Sequence, residues 1–143
     1  MDFTGASGAI PRNDIKRMQE HAQRYYEEIR KRSSDVKSIE NNTEFSKDDL
    51  EKIKQHIFIN KYDLGYEAPK SFDPDYDMAV SWQRLIDGKD IREMDIIMLK
   101  HELMEYDLMV EKGLSYEEAH AITDKEYCYS KYINELNRRE GIL

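Results

Sequence analysis

Residues 94–112 constrain the fold more than any other stretch of the chain. Wound at about 100° per residue, Met94, Ile97, Met98, His101, Met104, Glu105 and Leu108 fall on one side of a helix. Ile96, Leu99, Leu103, Tyr106 and Val110 fall on the opposite side. A helix that is apolar on two opposite sides must be packed on both, so it belongs at the centre of a helical fold. Lys100, Asp107 and Glu111 occupy one flank between the stripes, and Asp95 and Glu102 the other. Gly113 supplies the stop.

The flanking sequence reads as further helices. Asn13 or Asp14 caps a segment with Ile15, Met18, Ala22, Tyr25, Tyr26 and Ile29 on one face. Ser46, with Asp49 three residues on and Phe45 able to pack on Leu50, marks another start. Asp73-Pro74 marks a third, and Ser115-Tyr116-Glu117-Glu118 forms a capping box for the last. The pattern predicts helices near 14–32, 46–58, 74–87, 95–112 and 115–139, the last two antiparallel across a tight turn. Residues 33–42 read as a polar connector with a helical turn at Val36 and Ile39. Residues 60–72 are the one place for a short strand pair. The fold class is mainly α: a single-domain bundle of about five helices over 13–143 with a C-terminal helical hairpin, preceded by a flexible arm over 1–12.

Composition narrows the functional classes. With 143 residues the chain suffices for one domain with its own core. A formal net charge of −8 disfavours tight nonspecific binding to DNA. Lys52, Lys54, Arg84 and Lys100 are the residues from which a local basic patch would have to be built. No apolar run approaches the length of a membrane span, so membrane insertion is not expected. Cys128 is the single cysteine, which excludes an internal disulfide and a cysteine-based zinc site and fits a reducing compartment. A cytoplasmic location is expected, or a phage-associated or secreted one as part of a larger protein.

The chemistry concentrates on the central helix. His101 sits mid-stripe with Glu105 one turn later on the same face. A carboxylate in an apolar stripe is costly unless a partner or a cation answers it. Across the hairpin, Glu105 lies level with His120, and His101 with Tyr127. His101-Glu102-Leu103-Met104-Glu105 resembles the zincin pattern, with a carboxylate where the second histidine belongs. His101, Glu105 and His120 therefore form a candidate site for zinc or another divalent metal. Glu102, His101 and Tyr127 are the candidate catalytic residues. The same His–Glu pair also fits a plain core role in which each side chain satisfies the other.

Other features carry less. Phe72-Asp73-Pro74-Asp75-Tyr76-Asp77 lacks the glycine and the final glutamate of a calcium loop, so its aspartates read as helix caps. His56, beside Ile57 and Phe58, reads as a partly buried structural histidine. His21 reads as solvated surface, Trp82 as a core anchor, and Arg84 as exposed or paired with an aspartate. Cys128 has no neighbour suited to making it a catalytic thiol.

Several blocks resemble a domain at the C-terminal end of prophage minor-capsid proteins and bacterial polymorphic toxins. They are His56-Ile57-Phe58, Phe72-Asp73-Pro74-Asp75 through Ser81-Trp82-Gln83-Arg84-Leu85, Leu99 through Glu105, and Gly113-Leu114-Ser115-Tyr116-Glu117-Glu118-Ala119-His120. Together they span about residues 45–135. The resemblance implies a context, a phage particle or a delivered effector, with an immunity protein or a phage structural protein as partner. It leaves two readings open, a metal-assisted hydrolase (nuclease or peptidase) and a non-enzymatic structural or interaction domain. Residues 1–44 would be the junction to whatever lies upstream.

Overall fold

A computed structural model describes residues 10–141 of the chain. Among these residues seven α-helices follow one another: α1 (Ile15–Lys31), α2 (Asp35–Asn42), α3 (Lys47–Lys54), α4 (Tyr76–Asp87), α5 (Glu93–Tyr106), α6 (Tyr116–Glu126) and α7 (Ser130–Arg139). Helices α3 and α5 each run on into one π-helical turn, Gln55–Ile59 and Asp107–Glu111. Strand-like pairing among the described residues is confined to the loop after α3, where Tyr62 and Lys70 exchange two backbone hydrogen bonds. The mainly α class and the single bundle are as expected; the helix count is higher, for two reasons.

The first is α2. Val36 and Ile39 are buried, and the helix packs on α3 and α4. An isolated eight-residue helix is unstable, so it is tertiary packing that holds this one. Asp35 at its start is enclosed and accepts hydrogen bonds from Lys54 Nζ at 2.9 Å and Trp82 Nε1 at 3.1 Å. The second is a break in the final helix. The chain leaves helical geometry at Tyr127 (φ −133°, ψ 90°) and resumes at Ser130.

The caps explain where the remaining helices begin. Ser46 accepts from the Asp49 amide, and Ser115 and Glu118 form the reciprocal capping box. The third start lies two residues later than Asp73-Pro74 suggests. Asp75 is the cap, accepting from the Met78 amide, while Asp73 pairs with Lys70. Helix α4 ends at Gly88, whose left-handed φ of +68° suits glycine. A Cβ there would meet the Asn42 amide group at 2.7 Å, and that amide donates to the Leu85 and Ile86 carbonyls.

The core gathers Tyr25, Tyr26, Leu50, Phe58, Trp82 and Leu99 between α1, α3, α4 and α5. Helix α5 contacts α3, α4 and α6, the central position its two apolar sides require. Its buried surface is rotated from the expected stripes. Asp95 and Glu102, placed by the sequence on a flank, are inside, whereas Ile97 and Met104 are half-buried. Asp95 is enclosed because Arg84 clamps it with two bonds of 2.6 and 2.8 Å. His21 is likewise buried rather than solvated, stacked on Tyr25 and edge-on to Tyr76. Of the arm expected over 1–12, residues 1–9 lie outside the described residues. Ile10 packs against Ala22, Tyr76 and Val80, and Arg12 pairs with Asp77 at 2.6 Å.

Candidate metal centre

Four parts of the fold converge beside α5. The helix supplies His101, Glu102 and Glu105. The π-helical turn after α3 supplies His56, α6 supplies His120, and the break after α6 supplies the carbonyl of Tyr127. A π turn admits one extra residue and is often found where a side chain must be re-aimed. Here it turns His56 inward until the ring is fully enclosed.

Glu105 is the hub. Its Oε2 lies 3.2 Å from His101 Nε2 and 2.9 Å from His120 Nδ1, and its Oε1 lies 2.8 Å from His56 Nε2. Glu102 approaches His56 Nε2 to 3.4 Å. His101, Glu102 and Glu105 are buried, and His120 is half-exposed at the rim. The two inner imidazoles are oriented from behind. His101 Nδ1 donates to the Tyr127 carbonyl at 2.7 Å. His56 Nδ1 faces the Tyr62 hydroxyl at 2.7 Å, and that hydroxyl also accepts from Asn60. A carbonyl can only accept, so the His101 proton is fixed on Nδ1 and its Nε2 is the nitrogen offered to the site.

The electrostatics follow from this crowding. Burial acts to keep His101 neutral, but its bond to Glu105, the charge of Glu102 and the Tyr127 carbonyl outweigh it and raise the pKa to about 9. Burial, reinforced by repulsion from Glu105, pushes Glu102 up to about 7 against the pull of the three imidazoles. Burial also acts to raise Glu105, yet the bonds from His101, His56 and His120 prevail and hold it well below the ordinary carboxylate range. Two carboxyls one turn apart thus differ in protonation, a division of roles typical of reactive sites.

A cavity of about 390 Å³ opens beside these residues. Tyr26, Ile57, Phe72 and Met78 contribute apolar wall, and Asp73, Asp75 and Asp124 add carboxylates. No lysine or arginine is among its described lining residues. Tyr116 lines it next to His120, with a phenol whose pKa burial and the Glu105 charge raise to about 12.

The structure therefore brings His101, Glu105 and His120 together, with Glu102 alongside. Tyr127 joins through its backbone: its ring lies 6.0 Å from Lys100 Nζ and does not line the cavity. His56 was read from sequence as a structural histidine, yet it belongs to the cluster. The available signal was a titratable ring directly before the apolar run Ile57-Phe58-Ile59, much as His101 lies within an apolar stripe. The basic patch does not assemble: Lys54 and Arg84 are buried against Asp35 and Asp95, and Lys52 pairs with Glu111.

Two trios among the described residues bring ligand atoms close enough to hold a cation, His101–Glu105–His120 and His56–Glu102–Glu105. In each, one ligand atom per residue lies within 4.8 Å of the others. No protein-family model, no curated protein and no solved structure matches the chain.

Proposed function

We propose that the domain is a metal-assisted hydrolase of the effector type, with a divalent ion held by His101 Nε2, His120 Nδ1 and Glu105. The observation that carries this reading is the trio itself, two buried residues and one at the rim, whose ligand atoms border a cavity with apolar wall. Two histidines and a carboxylate leave a position for water, whose pKa a divalent ion lowers toward neutrality. Glu102, titrating near neutrality beside the trio, stands ready to accept the proton. Tyr127 is a positioning residue, since its carbonyl fixes the His101 tautomer as outer-shell partners of metal ligands do. No lysine or arginine is among the described lining residues, so a phosphodiester would have to be held by the ion alone, and an amide or ester substrate is the simpler fit. The prophage or toxin setting, with an immunity or phage structural protein as partner, is carried by the sequence blocks between residues 45 and 135.

A second reading has its own support. Glu105 receives three imidazoles and both inner rings have partners at each nitrogen, so the network is already satisfied as a piece of core. On that reading the domain is a phage structural or interaction module. Metal analysis of protein purified without a histidine tag separates the two. The hydrolase reading expects at least one ion per chain, lost in His101→Gln with the helical circular dichroism retained. If the protein takes up no metal and His101→Ala merely lowers stability by about 1–3 kcal/mol, the core reading stands instead.

A further inference from the structure

We infer that the site holds two divalent ions, the second between His56 Nε2, Glu102 and the Oε1 edge of Glu105, so that Glu105 bridges them. This rests on the hydrolase reading above and extends its metal centre.

Three observations converge on the second position. Glu105 divides its oxygens: Oε2 serves His101 and His120, and Oε1 serves His56. A carboxylate that faces separate ligand sets with its two oxygens has the geometry of a bridge. His56 is prepared in the same way as His101. Its Nδ1 is taken by Tyr62, and its Nε2 is aimed at two carboxylates from a fully enclosed ring. Outer-shell oxygens of this kind orient imidazoles for metals. Glu102, only 9% exposed, accepts no hydrogen bond among the described residues and reaches no nearer than 3.4 Å to His56. A buried carboxylate left so thinly answered is costly, and a cation between it and His56 would answer it.

The spacing is near that of such an ion. Zinc bonds of about 2.1 Å at tetrahedral angles place neighbouring ligand atoms about 3.4 Å apart. His56 Nε2 and Glu102 already stand at 3.4 Å, and the 2.8 Å contact with Glu105 would have to open by about half an ångström. The mix of imidazole and carboxylate suits zinc, manganese or iron over calcium or magnesium. With both ions in place Glu102 would serve as a ligand, and a water held by the cations would be acidic enough to give its proton to solvent at the cavity mouth.

The test uses wild-type, untagged protein equilibrated with zinc sulfate and desalted. Elemental analysis should give two zinc ions per chain, and anomalous diffraction at the zinc edge should show two peaks about 3.5–4 Å apart on either side of Glu105. His56→Ala should reduce the count from two to one. A single peak on His101, Glu105 and His120 overturns the second site while leaving the mononuclear reading intact. No peak in this cluster overturns both. The wild-type map decides the matter even if the His56 variant fails to fold.

Discussion

Glu105 accepts three imidazoles because α5 holds it one turn beyond His101 while α6 and the π turn approach from opposite sides. The protonation of these groups makes metal-free stability and metal uptake run in opposite directions with pH. An unfolded imidazole titrates near pH 6.5. The raised His101 pKa therefore contributes stability that is full below about pH 6.5 and is lost as pH rises through about 9. Glu102 has the same sign, its contribution fading as pH rises through about 7. Glu105 has the opposite sign: its contribution is full above about pH 4.5 and fades as the medium becomes strongly acidic. Metal-free melting temperatures should thus peak at about pH 4.5, where the Glu105 gain is complete and the Glu102 loss begins, and fall toward pH 9. Zinc affinity should climb over the same interval, because ligand nitrogens must shed protons. Thermal melts with and without zinc check this, and a metal-free protein that grows more stable from pH 6 to 9 would contradict it.

At the scale of elements, the break between α6 and α7 has a use. In an unbroken helix the Tyr127 carbonyl would accept from the amide four residues on; released from that duty, it accepts from His101. The side chain is not needed for this, so Tyr127→Phe should leave zinc uptake unchanged and stability within about 0.5 kcal/mol. A loss of metal in that variant would mean that the phenol itself takes part. The cap at Ser46, the capping box at Ser115 and the two-sided central helix were legible in the sequence because they depend on residues three or four apart. So was the level of His120 with Glu105, a matter of counting outward from the turn at Gly113. The inward turn of His56, the break at Tyr127 and the docking of α2 were not, because each depends on contacts between distant elements. The half-buried strip containing Ile97 and Met104 shows the same limit: hydropathy places a stripe, and the buried pairing of Asp95 with Arg84 rotates it.

For the molecule as a whole, three of the four cations from which a basic patch would be built are paired with carboxylates. Lys54 and Arg84 sit in buried pairs and Lys52 in a surface one, against a net charge of −8. A fluorescence titration at physiological salt should give a dissociation constant for DNA weaker than about 10 μM. Tighter, salt-sensitive binding would reveal a basic face elsewhere. The contacts of Arg12 bear on a different property. Besides Asp77, its guanidinium meets Asn137 at 2.9 Å and Glu140 at 3.6 Å, so positions 125 or more residues apart in the chain are neighbours in space. A stretch such as 12–140, whose two described ends lie side by side, can be spliced into a loop of a host protein without prying that loop apart. The same stretch can be permuted by a short linker between residues 12 and 140.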